Sequence, residues 1–388
     1  MSKVFEVHMP NVLSSQTRRE MLELPATEYE ILDVLDRLGD GGEDAASQCS
    51  VNCLRFGYLG RYVNGGSLYE LNELAYRLDG MGDLYQTALR GLVELESGTP
   101  SVGRLIDLAE NVYNIPIAPD IVTDEQLGRF LVENELCLAD EEISDNVLKY
   151  LDYARIAGEH RLRENGIIIS GVYIERGGEI PSVQRQFAPP ERPKHTVLLD
   201  AESVDRHILL DLPANADDID RALEFLGADW RDDITLKCVD CAAPALTRLI
   251  DAAQDISEAN RLAVSLNSMD HEQLVKFKAV ADAVKPANIE QAVWLAGHMD
   301  DYILDRKLHD PVEVAEDVLK VSVGIAEREL LLPYLDKKGF GEAVLKQQNG
   351  ALSPYGYVQR TDGEPLHIIG MTEPQSIDHK ADGMELSM

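Results

Sequence analysis

The chain has 388 residues, 45% of them apolar, and carries 69 Asp+Glu against 36 Lys+Arg for a formal net charge of −33. So much apolar material excludes a disordered acidic tail and provides for two or more buried cores. The charge argues against direct nucleic-acid binding, where affinity comes from Lys and Arg releasing counterions, and no basic run is longer than a pair such as Arg18–Arg19.

The charge is shared evenly. Residues 1–190 hold 16 basic and 32 acidic side chains and residues 191–388 hold 20 and 37. An excess of this size serves solubility but also costs stability through self-repulsion.

The opening segment MSKVFEVHMP alternates like a strand and lacks the charged-then-apolar pattern of a signal peptide. No apolar run approaches the roughly 18 residues of a membrane span. Five cysteines, Cys49, Cys53, Cys137, Cys238 and Cys241, fit reduced thiols better than a disulfide framework. An intracellular, cytoplasmic protein without membrane association is expected.

Residues 22–39 (LELPATEYEILDVLDRLG) recur as 210–227 (LDLPANADDIDRALEFLG), so the chain reads as a tandem duplication. In the first copy Thr27 and Glu30 form a capping box, Ile31, Val34, Leu35 and Leu38 recur at helical spacing, and Gly39 ends the helix. The second copy repeats this with Asn215 as cap, then Ile219, Ala222, Leu223, Leu226 and Gly227. The outer faces of the two helices are expected to carry Glu28, Glu30, Asp33 and Asp36, and Asp217, Asp218, Asp220 and Glu224. Asp40-Gly41-Gly42-Glu43-Asp44 resembles a calcium loop only faintly, lacking the EF-hand spacing and closing Glu, and is read as a plain loop.

Helices are predicted from Ser67 to about Asp79, opened by a Ser67/Glu70 box, and from about Asp83 to Glu96. Asn72, Leu74, Ala75, Leu78 and Met81 match Asn260, Leu262, Ala263, Leu266 and Met269 without loss of register. A third helix over 101–112 pairs with 288–299, and a further one is predicted near 123–134. The copies end alike, with Tyr150-Leu151-Asp152 matching Tyr334-Leu335-Asp336, Asn165-Gly166 matching Asn349-Gly350, and Tyr173 and Arg176 of a closing strand matching Tyr357 and Arg360.

Strands, helices and then strand again give an α+β class: two tandem repeats, each of small antiparallel sheets flanking a helical middle, elongated overall. The modules are placed at 1–176 and 195–360, joined by a proline-rich linker at 177–194 and followed by a polar, patternless tail at 361–388.

Motifs that would signal catalysis are weak. Cys238 and Cys241 form one CxxC, with Cys49 and Cys53 in the corresponding stretch, but zinc needs four ligands and no second CxxC exists. Alternation of Ile234, Leu236 and Cys238 points instead to a strand with its cysteine in the core. His160, His271 and His298 belong to no metal or deaminase signature, and no HExxH, GxSxG, P-loop or GxGxxG pattern occurs. Acidic residues are so abundant that no pair can be singled out for acid–base work. No catalytic, cofactor or metal residues are assigned.

The segments SLYELNELAYRLDGMGDLYQTALRGLVEL (67–95) and YLDYARIAGEHRLRENGIIISGVYIE (150–175) resemble the ArdA-type antirestriction proteins, and 257–280 with 334–358 carry a fainter version. The resemblance implies an elongated acidic protein, encoded on mobile elements, that mimics bent B-form DNA in the groove of type I restriction–modification enzymes. Members act as homodimers of single units, whereas this chain fuses two, so a homodimer and an intrachain pseudo-dimer are both open.

Charge arithmetic is compatible with that implication. Duplex DNA carries about one charge per 1.7 Å of axis, so −33 corresponds to about 56 Å, or about 16 base pairs. Carboxylates on a folded scaffold would also avoid a bending cost of about 1–6 kcal/mol. The candidate phosphate mimics are Glu28, Glu30, Asp33, Asp36, Asp140, Glu141, Glu142 and Asp145 in the first copy, and Asp217, Asp218, Asp220, Glu224, Asp229, Asp232 and Asp233 in the second. Two other functions stay open: a mobile-element regulator or scaffold that binds another basic protein, and an acidic hydrolase with an unrecognised carboxylate pair.

Overall fold

A computed structural model describes residues 2–10, 19–39, 42–47, 49–137, 145–227 and 234–366, apart from the side chains of 145 and 146. The chain divides into two units, Met1–Pro193 and Lys194–Met388. Both are α+β, and each contains two three-stranded antiparallel sheets.

The first unit runs β1 (Phe5–Pro10), β2 (Arg19–Leu24), α1 (Glu28–Leu38), α2 (Gly42–Ala46), β3 (Ser50–Cys53), α3 (Gly60–Val63), α4 (Leu68–Leu78), α5 (Asp83–Leu95) and α6 (Val102–Asn111). It closes with β4 (Ile117–Pro119), α7 (Asp124–Glu133), α8 (Asp145–Leu148), α9 (Tyr153–Arg163), β5 (Gly166–Ile169) and β6 (Val172–Glu175). The second unit runs β7 (Val197–Ser203), β8 (Arg206–Leu212), α10 (Ala216–Leu226), β9 (Thr235–Cys241), α11 (Thr247–Asp251), α12 (Ile256–Asn267), α13 (His271–Val284) and α14 (Ile289–Ala296). Then come β10 (Tyr302–Asp305), α15 (Pro311–Ser322), α16 (Ile325–Leu331), α17 (Lys337–Gln347), β11 (Ala351–Ser353) and β12 (Gly356–Arg360).

Sheet order shows the duplication directly. The opening sheets are β2-β1-β3 and β8-β7-β9, and the closing sheets are β4-β6-β5 and β10-β12-β11. Phe5 pairs with Leu24 on one side and Cys53 on the other; Val197 pairs with Leu212 and Cys241 in the same places. A bulge at Leu198/Leu199 inserts one extra residue into β9. This is why Leu236 and Cys238 alternate inward and Asp240 and Cys241 are then both buried.

The helices between the sheets follow their caps. Thr27 and Ser67 close capping boxes with Glu30 and Glu70, and Asn215 caps α10 alone. Asp152 and Asp336 each accept the amide three residues ahead, at the starts of α9 and α17. Buried Leu74, Leu78 and Met81 sit in the first unit as Leu262, Leu266 and Met269 sit in the second. A fully buried leucine contributes about 1.5–3 kcal/mol by leaving water.

In the closing hairpin of the first unit, successive strand residues feed opposite faces. Ile174 joins the large core, where it packs with Ile167 and Ile169 against α5, and Tyr173 joins Ala118, Leu127, Leu131 and Ala157 under α7 and α9. Asn165 and Asn349 both take φ 52, and a Cβ on Gly166 or Gly350 would collide with the ring of Tyr173 or Tyr357. The Asn-Gly pairs therefore place a tyrosine ring against bare backbone.

One expectation is corrected here. Residues 42–46 of the stretch read as a loop are helix α2: Glu43 and Asp44 favour its positive N-terminal end, and Ala45 and Ala46 are buried beside α1. Residues 40 and 41 and the tail from 367 lie outside the described residues.

Candidate acidic binding surface

Helices α1 and α10 are equivalent, yet they present their acids differently. On α10 Asp217, Asp220 and Glu224 are exposed. Their i, i+3, i+7 spacing lays them along one face, at axial intervals of about 4.5 and 6 Å. That is a sparser row than the phosphates of one DNA strand, spaced at about 3.4 Å. Asp218 is half-buried and ion-paired to Arg221.

On α1 only Glu28 is exposed. Glu30 is spent on its own helix, accepting from the Thr27 amide at 2.9 Å, and lies 3.8 Å from Lys3 Nζ. Asp36 is half-buried and engaged. Asp33, expected on the outer face, is 6% exposed and faces Arg37 at 3.2 Å, while Arg37 also meets Glu20 at 3.0 Å. It sits beside Val34 on the inward side of the helix, where a carboxylate persists only if paired. Asp33 is therefore a structural acid and not a surface one.

Asp140, Glu141, Glu142, Asp229, Asp232 and Asp233 lie outside the described residues. Asp145 begins α8, and its side chain is outside the description.

A second set of acids holds the first unit together through arginines from distant segments. Glu96 receives Arg104 at 2.9 Å and Arg176 at 3.2 Å, and the Arg104 hydrogen bonds hold its carboxyl below the ordinary value of 4.5, outweighing burial. Asp107, 1% exposed, receives Arg185 at 2.5 Å and the Val183 amide at 3.4 Å. Glu110 bridges Arg185 at 2.6 Å and Arg77 at 3.1 Å, and Arg77 reaches back to Glu73 at 2.7 Å. Arg104 Nη1 also donates to the Ile180 carbonyl at 2.9 Å, and Ile180 is itself buried.

These bonds fasten part of the proline-rich stretch 177–194 along the first unit as a strap without helix or strand. The strap, α4 and the start of α1 enclose a groove of about 370 Å³. Ala26, Glu28, Ile31, Tyr69, Asn72, Glu73, Tyr76 and the strap residues Gln186, Phe187, Ala188 and Pro190 line it. Its frame is set by Asn72, whose amide donates to the Ala26 carbonyl at 3.1 Å and accepts the Ala26 N–H at 2.8 Å. Asn260 makes the same two bonds to Ala214 at 3.0 and 2.8 Å. Leu24-Pro25 and Leu212-Pro213, just before these alanines, are both cis.

The sequence shows the repeated asparagine but not its job, since its partner lies 46 residues away. Tyr69 and Tyr76, seven residues apart on α4, are a visible stripe of one helix face. Nothing in their spacing brings in Phe187.

Several groups of nucleophilic or metal-binding type are buried or tied, while Cys53 and Cys137 are half-buried. Burial pushes the Cys49 thiol up to about 12, and its Sγ–H donates to the Ala46 carbonyl at 3.1 Å. A thiol so raised is a poor nucleophile. Cys241, buried beside Cys238, is raised as well, first by hydrogen bonding to that neighbour. His160, itself buried, contacts Glu175 at 2.9 Å and the exposed Arg163 at 3.0 Å, beside buried Tyr173. Among the described residues no three His, Cys, Asp or Glu side chains are grouped so as to hold a metal ion.

No family model and no curated protein matches the chain. Among the described residues no helix is long and apolar enough to cross a membrane.

Proposed function

We propose that this protein is a non-enzymatic DNA mimic that acts in the cytoplasm and inhibits a type I restriction–modification enzyme by occupying its DNA-binding groove. The observation that carries this is the charge surplus. With 69 acids and 36 Lys+Arg, complete internal pairing would still leave 33 negative charges for solvent or a partner. Several arginines are already committed to Glu96, Asp107 and Glu110 inside the first unit.

Support also comes from the exposed acidic face of α10 and from the likeness of residues 67–95 and 150–175 to ArdA-type proteins. A groove that holds a duplex is positively charged and exchanges counterions on binding, so a pre-folded polyanion competes for it on equal electrostatic terms.

The test is the plating efficiency of unmodified phage on a type I restricting host, with and without this gene. Relief of restriction is the expected result. Unchanged restriction, with the protein present in soluble form, would overturn the proposal.

A further inference from the structure

The groove beneath the strap has a composition that the charge surplus alone does not explain. Three aromatic side chains line it, Tyr69 and Tyr76 from α4 and Phe187 from the strap, together with the carboxylates Glu28 and Glu73. No Lys, Arg or His is among its lining residues. The Tyr69 hydroxyl is buried without a hydrogen-bond partner among the described residues, so it is the ring of Tyr69 that the groove presents. Burial, and then the nearby Glu43, push that hydroxyl up to about 12, so it remains protonated at neutral pH.

We propose that this groove binds the side chain of an arginine presented by a basic polypeptide. A guanidinium is planar, stacks on aromatic faces and is weakly hydrated, so it gains more than an ammonium from a pocket that is part ring and part carboxylate. Glu28 supplies the complementary charge at the rim, since it is exposed, whereas Glu73 already shares Arg77 with Glu110. Gln186 provides a neutral polar group for the remaining N–H donors.

The second unit acts as an internal control. Its frame is the same, through Asn260 and Ala214, but Glu28, Tyr69, Glu73 and Tyr76 are replaced by Ala216, Ser257, Arg261 and Val264. Every ring and carboxylate on α1 and α4 that would face the cation is lost, and one position carries a cation instead. Arginine recognition is therefore assigned to the first unit only. It does not require the partner to be a restriction enzyme, and an arginine derivative alone can probe it.

The experiment is an NMR titration of the full chain with Nα-acetyl-arginine amide, with the uncharged isostere Nα-acetyl-citrulline amide in parallel. Saturable shifts confined to Glu28, Tyr69, Tyr76 and residues 186–188 are expected with arginine and not with citrulline. Tyr76→Ala and Phe187→Ala should each weaken binding by at least about twofold, the lower range of a cation–π contact. Tyr76 is 40% exposed, so its truncation spares the core but removes the hydroxyl's hydrogen bond to the Ala26 carbonyl at 3.0 Å, which Asn72 still holds; Phe187→Ala leaves both of those bonds in place. Glu28→Gln, at an exposed position, should weaken arginine binding by a similar factor. Equal response to citrulline, shifts spread over acidic residues of both units, or unchanged affinity in folded Y76A and F187A would each overturn the assignment.

Discussion

In the first unit α4 is pinned over Ala26 by Asn72 and lines a groove with tyrosine and glutamate; in the second, α12 is pinned over Ala214 by Asn260 and carries Ser257, Arg261 and Val264 instead. The buried face of each helix stays apolar, with Leu74, Ala75 and Leu78 kept as Leu262, Ala263 and Leu266 and Leu68 and Leu71 changed to Ile256 and Ala259, while the face that meets solvent changes in chemical type. Fold and function therefore separate along a single helix. The inward positions answer to packing, where a missing methylene leaves a cavity. The outward positions are free of that constraint.

The same contrast recurs in the closing layer. His160, Glu175 and Arg163 form a charged cluster around Tyr173, and the equivalent positions hold Val344, Gln359 and Gln347 around Tyr357. Tyr357 donates its hydroxyl toward Gln348 and Gln359 instead. One tyrosine is retained on each bare glycine, and the ionic layer above it is kept in one unit alone.

The shared frame should respond alike in both units. Leu74→Ala and Leu262→Ala remove equivalent, fully buried side chains and should each cost about 3–4 kcal/mol. Urea denaturation should show similar losses for the two. A loss in one and near neutrality in the other would mean that the frames are not equivalent.

The next largest effect should be confined to the first unit. Asp107 takes Arg185 and Val183 of the strap, and Trp294 stands in its place in the second copy. Asp107→Asn should cost about 3 kcal/mol, because it leaves Arg185 less compensated at a nearly dry site. It should also expose the strap to limited proteolysis between residues 180 and 190. Uncut strap and unchanged stability would show that the ion pair does not fasten it.

How much of this was visible in the sequence depends on the reach of each interaction. Caps and helix faces are local, so the Thr27/Glu30 and Ser67/Glu70 boxes and the inward Leu74 and Leu78 are legible from spacing alone. The strap is not: its anchors Ile180, Arg185 and Phe187 fall at irregular gaps, and each depends on α4 or α6 more than seventy residues earlier in the chain. The inward place of Asp33 is hidden for a related reason. A helical pattern shows which residues are apolar, not that an acid beside Val34 is drawn inward to Arg37.

A smaller effect follows from Glu96. Its folded pKa is depressed by Arg104, so its stabilisation is complete above the ordinary value of 4.5 and is lost as pH falls below it. Glu96→Gln should flatten the fall of stability with acid in that window, with little change in pH slope near neutrality. An acid limb identical to the parent's would remove the pair from the account of stability.

The smallest expected change is with salt. Screening the self-repulsion of 33 excess charges should raise the thermal midpoint slightly as salt is added. A fall would mean that attractive pairs, and not the surplus, dominate the folded state.

Salt should act in the opposite sense on binding, and there the central claim is most exposed. The direct measurement is competition between this chain and a duplex for a purified type I methyltransferase core, over salt from about 50 to 200 mM, where contacts that replace phosphates lose about 10³ in affinity. Displacement of the duplex, with an affinity that falls steeply and linearly on a log–log salt plot, is expected. Binding that is indifferent to salt, or that leaves the duplex in place, would contradict it.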